Sequence, residues 1–304
     1  MRICSLLPST TEIVYALGLG DSLVAVTHEC DYPPLAATKP RITRSSIDSA
    51  QLSSRAIDAL VAGHLHDHRG LYQLDRDLLE RLNPDLILTQ ELCAVCAVSY
   101  AEVEAAVRAL FGDRTILSLE PTGLAEVLET INRVGALTGR DAEAAALIAR
   151  LQREIDAVTS AVAGVARRPR VACLEWLDPP WVGGHWVPEM VHLAGGEDGL
   201  GEAGSPSVRV GWEQVIAYAP EVVVLMPCGF DAQRTAREFA ATPRPASWQT
   251  LPAVRAGEVY AVNANGLFSR PGPRLVQGLR LLAHILHPDR MPLVSDSDDL
   301  RRIG

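Results

Sequence analysis

The chain has 304 residues, 48% of them hydrophobic and 21% charged, which suits a globular protein large enough for two α/β lobes. Its net charge of −9 and pI near 5.4 argue against the basic face of a nucleic-acid binder and the polybasic patch of a membrane-surface anchor. No stretch approaches the roughly 20 apolar residues that cross a bilayer, and the apolar run before Pro8 is too short for a secretory leader, so the sequence as written predicts a cytoplasmic protein; periplasmic or cell-surface placement would need a leader upstream.

Residues 2–7 predict a buried strand. Ser9 and Glu12 have capping-box spacing and predict a helix that starts at Ser9 and runs to Gly18 or Gly20. A short strand is expected at 23–27, and Pro33 and Pro34 keep the next segment irregular. Residues 35–72 are mixed, with a helix near 53–62. His64-Leu65-His66-Asp67-His68 has the look of a metal cluster, but Gly63 and Gly70 flank it, so it reads as a solvated loop. Helix 75–82, strand 86–89, helix 99–111 and strand 115–119 complete the first half.

Leu124, Val127, Leu128, Ile131, Val134 and Leu137 recur at helical spacing, Gly139 interrupts, and the pattern resumes over 142–162. Forty helical residues would cover about 60 Å, which predicts a stiff connector. The second half then reads strand 170–176, helices 187–194 and 212–218, strand 222–226, helix 231–241, strand 258–262 and helix 273–286. The acidic tail 295–299 is expected to fray. The organisation is an N-terminal lobe over 1–121, a helical connector over 122–168 and a C-terminal lobe over 169–304.

One unit occurs twice. Leu82-Asn83-Pro84-Asp85-Leu86-Ile87-Leu88 and Tyr218-Ala219-Pro220-Glu221-Val222-Val223-Val224 each read as a helix end, a proline turn and a strand buried on both faces. Arg2-Ile3-Cys4 and Arg170-Val171-Ala172-Cys173 open the two halves alike. The fold class is therefore α/β: two Rossmann-like lobes with mainly parallel sheets, joined by one long α-helix, with a ligand in the cleft between them. In such sheets ligands sit past the carboxyl ends of the strands. Those ends carry Pro8 and Ser9, then His28, Cys30 and Tyr32, then Gln90, Glu91, Cys93 and Cys96, then Trp176 to Trp186, then Cys228, then Asn263 to Arg270.

Six cysteines in a chain this long do not make a disulfide framework. Cys4 and Cys173 fall in expected core strands; Cys30, Cys93, Cys96 and Cys228 fall in loops. Cys93-Ala94-Val95-Cys96 is a C-x-x-C, but the next helix is delayed and there is no second C-x-x-C. It reads as a loop lining the cleft; a thiol-redox or zinc enzyme using Cys93 and Cys96 is the reading of another class. No nucleophile–base–acid set and no nucleotide-binding glycine loop is visible, so binding rather than catalysis is expected.

Ser5-Leu6-Leu7-Pro8-Ser9-Thr10-Thr11-Glu12, Asp31-Tyr32-Pro33-Pro34 and Asn83-Pro84-Asp85-Leu86-Ile87 resemble the vitamin B12 and siderophore substrate-binding proteins of ABC transporters. Val187-Pro188-Glu189-Met190-Val191, Trp212-Glu213-Gln214-Val215 and Ser269-Arg270-Pro271-Gly272-Pro273-Arg274 continue the resemblance across nearly the whole chain in order. Asp178-Pro179-Pro180-Trp181 is most similar to the cobalamin-binding branch. The resemblance implies two α/β lobes joined by a long helix, a monomer, and cobalamin or a related corrinoid as ligand. It also implies either ABC permease subunits as partners or a soluble carrier role. A ferric siderophore or haem is the alternative ligand.

Trp176, Trp181, His185 and Trp186 leave the first strand of the second lobe on a segment whose prolines and glycines are expected to keep it irregular. Indole rings suit the broad apolar edge of a corrin. The resemblance adds Tyr32, Phe268 and Arg270, the last a forked donor for a phosphate or amide oxygen. His28 or His185 could supply an axial ligand to cobalt. Glu102 and Glu238 would be the exposed glutamates that dock on a permease.

Overall fold

The computed structural model describes residues 1–49, 51–66, 70–90, 99–292 and 298–303. It divides into two units: Met1–Leu52, Ala56–Pro121 and Val127–Ala149 form the first, and Ser53–Arg55, Thr122–Glu126 and Arg150–Gly304 the second.

The first half of the chain runs β1 (Ile3–Ser5), α1 (Pro8–Ala16), β2 (Leu23–Val26), β3 (Thr43–Ser45), α2 (Ser54–His66), β4 (Tyr72–Leu74), α3 (Arg76–Leu82), β5 (Leu86–Thr89), α4 (Tyr100–Phe111), β6 (Thr115–Ser118), α5 (Leu124–Thr138) and α6 (Asp141–Ala161). Four strands form a parallel sheet in the order β2-β1-β5-β6, and β3 pairs β4 antiparallel. Every residue of β5 is buried, as expected of an apolar strand covered on both faces. Cys4, Leu6, Ala25 and Ile87 meet Leu79 of α3 and Val103 and Val107 of α4 in one core.

The second half runs β7 (Arg170–Leu177), β8 (Pro180–Val182), α7 (Val187–Leu193), β9 (Glu197–Asp198), β10 (Val208–Arg209), α8 (Trp212–Tyr218), β11 (Val222–Leu225), α9 (Ala232–Ala241), α10 (Pro252–Ala256), β12 (Val259–Val262), α11 (Ala264–Leu267), α12 (Leu275–Leu286) and β13 (Leu300–Arg302). Its sheet has the order β10-β8-β7-β11-β12-β13, with β9 beside β7. The central strands β7, β11 and β12 are parallel, whereas β8, β10 and β13 add antiparallel edges. No described helix is long and apolar enough to cross a membrane.

The repeated unit is the same chemistry in both places. Asn83 ends α3 at φ 41° and Ala219 ends α8 at φ 51°, so each helix stops on a left-handed residue before its proline. The next N–H, of Asp85 or Glu221, donates at 2.8 Å to the carbonyl of Arg2 or Arg170, which opens the neighbouring strand. The Asp85 carboxylate accepts from Arg2 N at 2.8 Å, and the Glu221 carboxylate accepts from Arg170 N at 3.2 Å. Each arginine Nε returns to the helix end, at Leu82 O (2.8 Å) or Ala219 O (3.1 Å). The acidic residue after each proline thus aligns a helix end with the central strand of its sheet.

Five expectations change. Helix α1 begins at Pro8 rather than by a Ser9–Glu12 capping box; Leu7 is its N-cap, with no side-chain cap, because proline presets the first helical φ and has no N–H to satisfy. Helix α2 extends through His64 and His66, so these are not in a loop; Asp67 and His68 lie outside the described residues. The stretch 122–162 is two helices, α5 and α6, because Gly139 at φ 67° ends the first. The segment 177–186 is not wholly irregular: β8 folds back on β7 as a hairpin. Of the acidic tail, 295–297 lie outside the described residues, whereas Asp299 is held, its O accepting from Asn263 N at 2.9 Å, and β13 closes the β12 edge.

Candidate functional site

In the first unit the strand ends are knitted together by hydroxyls. Ser5 Oγ lies 2.7 Å from Thr10 Oγ1, Thr11 Oγ1 donates to Ser5 Oγ at 2.8 Å, and the buried Cys30 Sγ lies 3.0 Å from Thr11 Oγ1. Ser9 is buried and Pro8 half-buried. Burial pushes the Cys4 thiol up to about 12, so it stays an uncharged core group. His28 is half-buried; its Nδ1 lies 2.8 Å from Thr43 Oγ1 and its Nε2 3.2 Å from Glu29 Oε1. Arg41 pins this loop, with Nη1 donating to the carbonyls of Thr27, His28 and Cys30 at 2.8, 2.9 and 2.8 Å. Tyr32 stands 43% exposed beside its cis Tyr32–Pro33 bond, and Gln90 is buried. Glu91, Cys93 and Cys96 lie outside the described residues. Glu102 is half-buried in the first turn of α4.

In the second unit the strand ends carry rings. Trp176 and Trp181 are half-buried and oppose each other across β7 and β8. Trp176 meets Phe230 edge-on at 5.5 Å, and Arg234 stacks 3.7 Å from the Phe230 centroid. The loop after β11 is tied to β7 by Cys228 N to Glu175 O (3.2 Å) and to α11 by Asn265 N to Phe230 O (3.2 Å). Cys228 is an exposed free thiol in that cluster.

Trp186 and Phe268 lie deeper. Trp186 is 5% exposed and Phe268 1%, and Trp186 Nε1 donates to Phe268 O at 2.7 Å. Arg270 is also buried. His185 takes φ 50°, its ring sits 5.6 Å from Trp186, and burial lowers its pKa. A neutral imidazole is the form that can ligate a metal. Among the described residues no group of three or more His, Cys, Asp or Glu is placed to hold a metal ion.

A further layer was not read from the sequence. Glu238 Oε1 accepts from Ser54 N (2.6 Å) and Ser54 Oγ (2.7 Å), capping the start of α2, and Trp176 Nε1 donates to Ser54 O at 3.2 Å. Arg55 forms a two-point ion pair with Asp178 at 2.8 and 3.2 Å. Glu189 Oε2 accepts from Leu124 N at 2.8 Å, at the first residue of α5. Phe230 lies just before the N-cap of α9 and Arg234 in its first turn, so helix periodicity did not mark the pair. The Glu238–Ser54 contact spans 184 positions and has no local signal.

The loops Gly199–Gly204 and Gly183–His185 are closely packed. Gly204 N donates to His185 O at 2.9 Å, and Ser207 Oγ donates to Glu175 Oε2. Asp198 Oδ1 accepts from Leu200 N (2.9 Å) and Gly201 N (3.0 Å), while its Oδ2 is buried without a partner among the described residues. Burial raises the Asp198 pKa against the lowering effect of those two bonds.

The model of the family described as periplasmic binding protein matches residues 3–265. A Bacillus subtilis ABC transporter substrate-binding lipoprotein, YvrC, is 23% identical over 95% of this chain and 80% of its own length. A vitamin B12-binding protein of Vibrio cholerae is 25% identical over 91% of this chain and 86% of its own length. Among solved structures, a periplasmic heme binding protein from Pseudomonas aeruginosa superposes with a TM-score of 0.72 at 21% identity, covering 100% of this chain and 99% of that one. With most of its length matched in order, this chain belongs to the periplasmic binding protein family.

Proposed function

We propose that the chain is the substrate-binding component of an ABC uptake system, or a soluble carrier, and that its ligand is cobalamin or a related corrinoid. The observation that carries the reading is the pair of half-buried indoles, Trp176 and Trp181, at the strand ends of the second unit. Large rings at low entropy cost suit a flat, mostly apolar ligand. The vitamin B12-binding relative favours the corrinoid. Haem is the second reading, favoured by the Pseudomonas aeruginosa neighbour, and a ferric siderophore is the third.

Within the second unit Trp181, Cys228 and His185 are the contacts this reading favours, because each is at least partly exposed; within the first unit the exposed candidate is Tyr32. Trp186, Phe268 and Arg270 are buried, and Trp186 packs against His185 while its Nε1 holds Phe268 O. For permease docking Glu102 is the stronger candidate, since the Glu238 carboxylate already caps α2. An exported location fits relatives named as a lipoprotein and a periplasmic protein better than the cytoplasm does.

The test is a titration of intrinsic tryptophan fluorescence with cyanocobalamin, dicyanocobinamide, hemin and a ferric hydroxamate. Saturable quenching by the two corrinoids supports the proposal. Quenching by hemin or the ferric chelate alone moves the assignment to that ligand, and no response to any probe overturns it.

A further inference from the structure

Three side chains lie in register across one edge of the second sheet. Trp176 on β7 opposes Trp181 on β8, and Trp181 opposes Arg209 on β10. Directly opposed residues in an antiparallel ladder leave the sheet on the same face, with Cβ atoms about 4.5–5.5 Å apart. Val182, next to Trp181, turns into the core with Leu174 and Leu177, so the ladder of Trp176, Trp181 and Arg209 takes the other face. Strand β8 begins and β10 ends at this level, which is the carboxyl end of the parallel strands. Ligands of such sheets sit there.

The three differ in what they have left to offer. Trp176 Nε1 is committed to Ser54 O and its ring to Phe230. Trp181 is half-buried and Arg209 exposed, and among the described residues neither side chain has a hydrogen bond, an ion pair or a ring contact. A ring donor and a five-donor guanidinium thus leave the same face of the sheet from opposed register positions, both unspent. A guanidinium matches the two oxygens of a phosphate or carboxylate and has no equivalent match with a neutral amide.

We propose that Trp181 and Arg209 read an oxyanion carried on a flat ring system. The ring rests on Trp181, and a phosphodiester or carboxylate arm reaches Arg209. This deepens the ligand reading above and rests on it: the ligand is selected for a negatively charged arm as well as for its ring.

The first arm of the test needs no ligand. Iodide and acrylamide quenching are compared in wild type, Arg209→Gln and Trp181→Phe. The cation beside the indole should concentrate iodide. Arg209→Gln should lower the iodide Stern–Volmer constant about twofold and leave acrylamide quenching unchanged, and Trp181→Phe should abolish that difference. Equal iodide quenching in wild type and Arg209→Gln overturns the pair.

The second arm compares probes that share a ring and differ in the anion: cyanocobalamin against dicyanocobinamide, which lacks the phosphodiester, and hemin against its dimethyl ester. Arg209→Gln should weaken the anionic member of the bound pair about tenfold and its neutral counterpart less than twofold. Which pair shows the loss identifies the source of the oxyanion. Equal losses for both members, or none, overturn the proposal. Wild-type protein that binds no probe overturns the function proposed above, while the iodide arm still decides whether Arg209 and Trp181 act as a pair.

Discussion

The carboxyl ends of the two sheets use opposite chemistry. In the first unit the strands finish on hydroxyls: Ser5 ends β1, Thr27 follows β2, Thr89 ends β5 and Ser118 ends β6. Most of these spend their hydrogen bonds on neighbours, Ser5 with Thr10 and Thr11, Thr27 with Thr43, and Ser118 with Glu120. Thr89 is the exception, with a buried Oγ1 that has no partner among the described residues. In the second unit the corresponding level carries Trp176, Trp181, Arg209 and Phe230. Hydroxyls that satisfy each other hold loops in place and add little apolar area; rings supply area, and their committed N–H groups decide which are free to serve a ligand.

The contrast sharpens within the second unit, where Trp186 and Trp181 should respond in opposite ways. Trp186 is buried and bonded to Phe268 O. Replacing it with alanine should cost about 3–5 kcal/mol, read as a lower urea midpoint. Trp186→Phe keeps most of the ring but leaves the Phe268 carbonyl unpaired, a loss of about 1–3 kcal/mol. If Trp186→Ala costs no more than the same change at Trp181, the distinction between a structural and a ligand-facing indole fails.

The next effect concerns Glu238. Its carboxylate supplies two acceptors at the start of α2, where helix N–H groups have no partner of their own. Glu238→Ala should cost about 1–2 kcal/mol, comparable to losing an N-cap. Hydrogen exchange should locate the loss, with faster exchange at the Ser54 amide and the rest of the first turn of α2. Unchanged exchange there would show that Glu238 is not what holds this helix end.

These two sites also show what a sequence can and cannot disclose. The strand 86–89 was legible because four consecutive apolar or β-branched residues after a proline have few other solutions. The repeated proline unit was legible for the same reason, and its acidic residue sits next to the proline in both copies. The aromatic cluster 176–186 was legible as composition, but not its division of labour. Trp181 and Trp186 are five positions apart in similar surroundings, and only the hairpin Trp176–Trp181 and the distant carbonyl of Phe268 separate them. β10 has two residues, too short for an alternating pattern, so nothing local marked Arg209 as a partner of Trp181. The capping-box expectation at Ser9 failed because Pro8 starts the helix one residue earlier.

A pH experiment tests whether the packed loop beside His185 behaves as a unit. Asp198 anchors its start, and burial raises the folded-state pKa above the ordinary 3.8. A raised carboxyl pKa means that the folded state favours the proton, so this group's stabilising contribution is present below the ordinary carboxylate value and is lost as pH rises through the folded value. Wild type should therefore lose stability relative to Asp198→Asn as pH rises from the ordinary carboxylate value of 3.8 through the raised folded-state value. A constant gap between the two across that range would place the Asp198 carboxylate in a more solvated setting.

The smallest expected effect is at Trp181 itself. Among the described residues its side chain has no hydrogen bond, ion pair or ring contact, so its fold-stabilising share comes from half of one ring's burial. Trp181→Phe retains much of that area and should change unfolding stability by no more than about 0.5 kcal/mol, in line with surface substitutions away from special features. The same variant should lose most of the fluorescence response to a bound ring ligand. Stability unchanged with response lost is the signature of a residue held ready for a partner. Stability lost with response retained would assign Trp181 to the core beside Trp186, and the free donor in the ladder would then be Arg209 alone.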